Sequence, residues 1–124
     1  MKFNMCRSKI HRATVTDGNL NYQGSITIGW NMLVRSGILP FEMIHVNNVT
    51  NGNHWETYVI PGEFGQIILN GSPAHHFKKS DIVVIMAMAE VSPTELEDFK
   101  QTVVFVDGDN DVTEVETKLL RDYL

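Results

Sequence analysis

The chain has 124 residues, with 10 basic and 15 acidic side chains and a formal net charge of −5 at pH 7. This length predicts a single domain, residues 1–124, with a modest core, and the acidic balance argues against a nucleic-acid-binding surface. Cys6 is the only cysteine, which excludes an internal disulfide. The N-terminal segment lacks the apolar core of a signal peptide, and no apolar run approaches the roughly 20 residues of a membrane helix. We therefore expect a cytoplasmic protein without membrane contacts.

Short runs rich in valine, isoleucine and threonine predict a mainly β protein. In chain order, the predicted strands are residues 10–16, 25–28, 43–49, 56–60, 66–69, 82–89 and 102–106. Short helices are predicted at residues 30–36, 93–99 and 112–120. Many short strands in one small domain favour a closed or nearly closed barrel, because closure leaves few exposed strand edges.

Gly24 and Ser25 form a pair at the start of the second predicted strand. Such a pair is usually an ordinary turn. It also meets the needs of a self-cleaving precursor, because the serine hydroxyl can attack the preceding carbonyl when the peptide is strained, and glycine tolerates strain. An N→O acyl shift, elimination and hydrolysis would then leave a pyruvoyl group at position 25, a ketone able to form a Schiff base with an amine.

The first predicted strand carries basic side chains. Strand alternation puts Lys9 and His11 on one face and Arg12 on the other. A solvated basic face is the ordinary interpretation of this pattern, and binding of an anionic metabolite is the functional one.

Two turn signals complete the candidate site. Asn51-Gly52 predicts a hairpin whose returning strand carries Thr57 and Tyr58. Asn70-Gly71 predicts a turn that could present backbone N–H groups. Each of these signals is also typical of ordinary β structure.

Five segments, taken together in their order and spacing, resemble the aspartate decarboxylase family, small pyruvoyl enzymes that make β-alanine for pantothenate. They are Lys9-Ile10-His11-Arg12-Ala13-Thr14, Tyr22-x-Gly24-Ser25, Asn51-Gly52, Thr57-Tyr58 and Asn70-Gly71. The resemblance covers residues 3–110. It implies a double-psi β-barrel, a homotetramer with active sites between subunits, and cleavage into residues 1–24 and 25–124.

The resemblance also implies roles for single residues. Ser25 would become the covalent pyruvoyl group, with no external cofactor, and Tyr58 would protonate the substrate carbon after CO₂ leaves. The residues implied to bind the substrate, L-aspartate, are Lys9, Thr57, Gly71, Ser72 and Pro73. Those implied to support cleavage are Tyr22, Asn70 and His11.

The chain departs from the family pattern at two places that bear on substrate binding. His54 replaces an arginine that binds a substrate carboxylate, and the usual Asn-Gly-Ala-Ala turn has Ser72-Pro73 instead. A planar, permanently charged group has thus become a smaller one that titrates near neutrality. Two alternatives therefore stay open: a pyruvoyl decarboxylase of another small amino acid, and an uncleaved barrel that binds a ligand without catalysis.

We predict no metal site from the sequence. Asp107, Asp109 and Asp111 begin like a calcium loop, but Val112 and Lys118 occupy the positions where that loop needs glycine and glutamate. The pair His75-His76 has no further ligand nearby in the sequence.

Overall fold

A computed structural model describes all 124 residues. In chain order, the elements are β1 (Phe3–Thr14), β2 (Asp17–Asn19), β3 (Ser25–Gly29), α1 (Trp30–Ser36), β4 (Met43–Asn48), β5 (His54–Gly62), β6 (Ile67–Asn70), β7 (Ile82–Val91), β8 (Lys100–Val106) and β9 (Val112–Leu119). Single 3₁₀ turns lie at Ser72–His75, Glu95–Asp98 and Leu120–Tyr123. The prediction of a mainly β protein with a few short helices is confirmed.

All nine strands belong to one sheet, in the order β2-β6-β3-β5-β4-β7-β1-β8-β9. Three neighbouring pairs are parallel, namely β1 with β8, β2 with β6 and β3 with β5, and the others are antiparallel. Just beyond β1, the Thr16 backbone N–H donates to the Ile67 carbonyl in β6 at 2.8 Å. This contact brings two distant positions of the sheet order together, as in a small β-barrel.

The core is a cluster of 18 buried apolar side chains contributed by seven of the strands, by α1 and by the connecting segments. Isoleucine and valine dominate it, which explains why the strands were evident in the sequence. Along β5, Val59 is buried while Tyr58 and Ile60 on either side are only half-buried. The outward-facing side chains of β4 and β5 are consequently available to form a site.

The helix predicted at residues 30–36 is confirmed, and it ends at Gly37, which has a left-handed backbone. The helix predicted at residues 112–120 is wrong, because this segment is strand β9, paired with β8 from Leu119 opposite Lys100 to Val112 opposite Val106. Val112, Val115 and Leu119 recur with a helix-like spacing, but pairing with the edge of β8 overrides that periodicity. Of the helix predicted at residues 93–99, only the 3₁₀ turn Glu95–Asp98 forms before the chain enters β8.

Strand β1 begins at Phe3, earlier than predicted, and it contains an irregularity between Ile10 and Ala13. Arg12 has a φ of 62° there and is exposed, whereas Ile10 is buried. The bulge therefore turns Arg12 to solvent and breaks the simple alternation expected of this strand.

No helix in the structure is both long and apolar enough to cross a membrane.

Candidate active site

The Gly24–Ser25 peptide bond lies where the loop after β2 enters β3. Ser25 is fully buried, and its hydroxyl donates to the Gln23 carbonyl at 3.2 Å. The same hydroxyl oxygen accepts a hydrogen bond of 3.1 Å from the Asn70 side-chain amide. The hydroxyl is thus held against the backbone segment that a self-cleavage reaction would cut.

Asn70 and Gly71 reach this bond from the neighbouring strand. In the antiparallel pairing of β3 with β6, Ser25 lies opposite Asn70, whose amide also donates to the Thr27 hydroxyl at 3.1 Å. Gly71 has a φ of 80°, and a Cβ atom there would lie 2.9 Å from both the Cα and the N of Gly24. Only glycine fits between the turn and the Gly24 backbone without displacing one of them.

A cleft of about 310 Å³ lies next to Asn70, the residue that donates to Ser25. Its walls include the side chains of Tyr22, Thr27 and Asn70. Tyr22 is 60% exposed, so this wall of the cleft borders solvent. Thr27 and Asn70 line the cleft and are hydrogen-bonded to each other, so the cleft adjoins the network that holds Ser25.

Thr57 and Tyr58 lie on β5, the other neighbour of β3. The two strands run parallel with Ile26 opposite Val59, which places Ser25 and Tyr58 one residue earlier on adjacent strands. Thr57 is buried and Tyr58 is half-buried. The predicted proton donor and the predicted pyruvoyl position are thus on neighbouring strands of one chain.

The turn after Gly71 is compact. The Gly71 carbonyl accepts from the Ala74 N–H at 3.0 Å, and the Gly71 N–H donates to the Asn19 carbonyl at 2.7 Å. Pro73 is buried, whereas Ser72 is exposed. The Gly71 amide is therefore already used within the chain, and of the predicted pair only Ser72 offers a side chain to solvent.

Lys9 and His11 lie on β1, which three strands separate from β3 in the sheet order. His11 contacts the edge of the Phe105 ring, with centroids 5.6 Å apart, and its Nδ1 is buried without a hydrogen-bond partner. Burial, followed by the charges of Lys9 and Arg12, lowers the pKa of His11 below its ordinary value. A single chain does not bring Lys9 into hydrogen-bonding contact with the network around Ser25.

His54 begins β5 and shares its outer face with Tyr58, but four residues separate them, about 13 Å along a strand. The His54 Nδ1 lies 2.6 Å from the Asn47 side-chain oxygen, and its Nε2 lies 3.4 Å from Nδ1 of His45. The same His45 nitrogen is 3.1 Å from a Glu56 carboxylate oxygen. A carboxylate thus lies close to the histidine that was expected to bind a substrate carboxylate.

Three polar residues of the β4–β5 hairpin, His45, Asn47 and Glu56, are not among the predicted site residues. The sequence signal was not sufficient, because a two-residue turn at Asn51-Gly52 would place Asn47 opposite Glu56. Instead, the Gly52 N–H donates to the Asn48 carbonyl at 2.8 Å and the Asn48 N–H donates to the Asn53 carbonyl at 2.7 Å, so the turn is longer and sets a different register. That register pairs Asn47 with His54 and His45 with Glu56.

Comparison with known proteins gives a consistent result. The family model described as aspartate decarboxylase matches residues 1–113. An aspartate 1-decarboxylase of a Hydrogenobaculum species is 47% identical over 116 residues, covering 94% of this chain and 93% of the relative. Aspartate 1-decarboxylases of Stenotrophomonas maltophilia and Clostridium botulinum are 44% and 46% identical, and each alignment covers at least 90% of both chains.

Proposed function

The chain belongs to the aspartate decarboxylase family, and from that premise we propose that it converts L-aspartate to β-alanine and CO₂, the step that feeds pantothenate synthesis. The observation that carries the proposal is the contact of Asn70 and Gly71 with the Gly24–Ser25 bond. The chain that makes this contact aligns over nearly its full length with relatives named aspartate 1-decarboxylases.

The proposed maturation begins with the Ser25 hydroxyl. Its oxygen attacks the Gly24 carbonyl, the C–N bond breaks as an ester forms, and the hydroxyl proton passes to the freed amine. Elimination then releases residues 1–24 with a carboxylate on Gly24, and hydrolysis releases ammonia from the dehydroalanine at position 25. The Asn70 amide donates to the Ser25 oxygen at 3.1 Å and would hold the attacking hydroxyl in a fixed orientation.

The residues around Ser25 fit a small covalent carbonyl group. Ser25 is buried, Asn70 offers an amide donor at its side chain, and Gly71 leaves no room for another side chain on that side. A pyruvoyl group at this position would hold the substrate amine covalently and accept the electrons released with CO₂. Tyr58, one residue before the Ile26–Val59 pair, would deliver a proton to the substrate carbon.

Substrate binding is proposed to involve two subunits. Lys9 matches a cation that the family pattern places near the substrate carboxylates, His54 stands where that pattern has an arginine, and neither contacts Ser25 within one chain. Exposed apolar side chains support an assembly: Trp30, Val34, Leu39, Phe41 and Met43 are each more than half exposed, at 54% to 75%. We therefore propose a homotetramer acting in the cytoplasm, with a particle mass by light scattering near four times the 14.0 kDa chain.

The intact mass of purified protein tests the proposal directly. We expect a 24-residue chain ending in Gly24 and a 100-residue chain blocked by a pyruvoyl group, lengths that follow from 124 − 24. The matched Ser25→Ala protein should fold, stay intact and release no CO₂ from aspartate, because it lacks the attacking oxygen. A fully active sample containing only the intact chain would exclude this mechanism, whereas an intact and inactive chain would favour the non-catalytic barrel.

A second candidate is decarboxylation of a different small amino acid. It is favoured by Glu56, whose carboxylate lies 3.1 Å from His45 and next to His54, where it would repel a second substrate carboxylate. CO₂ release from a panel of amino acids by the cleaved protein distinguishes the two substrates. If the protein prefers an amino acid with an uncharged side chain, that amino acid replaces aspartate as the proposed substrate, and the proposed pyruvoyl chemistry is unchanged.

A further inference from the structure

His45, His54 and Glu56, here called the His–Glu cluster, lie on the outer face of the β4–β5 hairpin. His45 and Glu56 are directly opposite in the register, and His54 lies two pairs further toward the turn, opposite Asn47. One ligand-type atom from each side chain lies within 4.8 Å of the other two. The three side chains therefore converge on one point although they come from two strands.

Two of the three separations in the cluster match those of metal ligands, and the third is within 4.8 Å. Zinc binds nitrogen and oxygen at about 2.0–2.2 Å, so two ligands at tetrahedral positions are about 3.3–3.5 Å apart. The His45 Nδ1 lies 3.4 Å from the His54 Nε2 and 3.1 Å from the Glu56 carboxylate oxygen. Little movement is needed for these atoms to share an ion.

Asn47 orients the His54 ring for this role. Its side-chain oxygen lies 2.6 Å from the His54 Nδ1, and because that oxygen can only accept, the proton of the neutral ring is on Nδ1. The Nε2 lone pair is then directed toward His45. A hydrogen bond from the second ring nitrogen to an oxygen acceptor is the usual support of a histidine that binds a metal.

We propose that the His–Glu cluster binds a divalent transition-metal ion, with Zn²⁺ as the representative ion. Two imidazoles and one carboxylate suit zinc and its neighbours better than calcium or magnesium, which prefer all-oxygen sites. On binding, the ion displaces the proton that His45 Nδ1 shares with Glu56 and His54. Three protein ligands leave a fourth tetrahedral position for water or another oxygen ligand.

This proposal goes beyond decarboxylation and does not depend on it. It assigns a role to His45, Glu56 and Asn47, which the proposed reaction leaves without one. It also differs from the prediction of no metal site, because that prediction considered ligands close in sequence, whereas His45 and His54 are nine residues apart and meet through the hairpin.

The proposal is tested by calorimetric titration of the protein with ZnCl₂. The sample is tag-free, full-length protein from which bound metal has been removed with a chelator. We expect one ion per chain with a Kd of about 10 µM or tighter, and a melting temperature that rises with Zn²⁺. His45→Asn and Glu56→Gln should each weaken binding at least about tenfold, and Asn47→Leu about 10–100-fold. The Ser25→Ala protein should bind as the parent does, which separates this result from the fate of the proposed reaction.

The double substitution His75→Asn and His76→Asn is the matched control, because it removes two exposed histidines outside the cluster, one of which lies against the hairpin turn. It should leave the Kd within about twofold. Melting temperatures without zinc show whether each variant is folded. A parent Kd weaker than about 100 µM, or unchanged binding in both His45→Asn and Glu56→Gln, would overturn the assignment.

Discussion

Tyr58 can be tested by removing one oxygen atom. Tyr58→Phe should still be cleaved, because Asn70 and Gly71, which contact the Gly24–Ser25 bond, are unchanged. Loss of the proton donor should lower the decarboxylation rate by about 10²–10⁴-fold. Intact mass and CO₂ release measured on the same sample separate the two steps. A fully cleaved Tyr58→Phe protein with normal turnover would remove Tyr58 from the proton-transfer step.

His11 should make folding stability sensitive to mildly acidic pH. Burial first, and then Lys9 and Arg12, lower its pKa below the ordinary value of 6.5. As pH falls below about 6.5, the unfolded chain takes up a proton on His11 more readily than the folded chain does. The free energy of unfolding is therefore highest above that pH and decreases as pH falls toward the pKa of His11 in the folded state.

The comparison for this prediction is His11→Gln, which does not titrate. Melting temperatures at about pH 7.5 and pH 5.5, above the range where most carboxylates titrate, should fall more for the parent than for the variant. Parallel decreases in the two proteins would show that His11 contributes nothing to the pH dependence.

At the scale of elements, the turn between β6 and the 3₁₀ segment packs against the Gly24–Ser25 bond, the proposed cleavage position. Gly71→Ala adds a Cβ 2.9 Å from Gly24 backbone atoms, at a φ of 80° that already disfavours alanine. Cleavage should slow markedly, because the Gly24 backbone must shift away from its position beside Ser25. The half-life of the intact chain on a denaturing gel measures this effect.

Gly52→Ala is the matched control for that substitution. Gly52 has the same φ of 80° in the β4–β5 turn, but nothing lies within 4 Å of an added Cβ. Both variants should lose about 1–3 kcal/mol of stability to backbone strain, but only Gly71→Ala should delay cleavage. Equal delays would mean that strain, not contact with Gly24, sets the rate.

The β4–β5 hairpin and strand β9 mark the two extremes of what local sequence encodes. Asn51-Gly52 marks the turn, so the existence of the hairpin follows from nearby residues, although its register does not. Strand β9 has valines spaced as on a helix, and its conformation is set by pairing with β8. The helix-like spacing of the valines does not decide the conformation here, because pairing with the edge of β8 satisfies the backbone hydrogen bonds.

At the scale of the whole molecule, Asn110 ties distant parts of the chain together. It is fully buried, and its side chain hydrogen-bonds both the N–H and the carbonyl of Thr14, at 2.7 and 2.8 Å, and the Gly65 carbonyl at 2.8 Å. Its own carbonyl accepts from the Asn31 amide at 2.9 Å. One side chain thus joins the end of β1 to the segment before β6.

Asn110→Ala should therefore be among the most destabilising single substitutions. Backbone groups of Thr14 and Gly65 would lose their side-chain partner, at a total cost of about 2–5 kcal/mol. Denaturant unfolding of the Ser25→Ala background, which keeps every sample uncut, gives the free energy of unfolding. The exposed Asn21→Ala serves as control and should change it by less than about 0.5 kcal/mol. A comparable loss in both would show that the network around Asn110 adds little.

The sequence by itself determined the mainly β character, the helix at residues 30–36, the hairpin around Asn51-Gly52 and the family. These follow from periodicity, from turn chemistry and from motifs read in order along the chain. Only the tertiary structure decided that Asn70 donates to Ser25 across β3 and β6, that Gly71 packs on Gly24, and that His45 meets His54 and Glu56. These contacts join residues up to 47 positions apart, the separation of Gly71 from Gly24. Local propensity cannot specify them, because they depend on which strands pair and in which register, and the burial of the common core sets that.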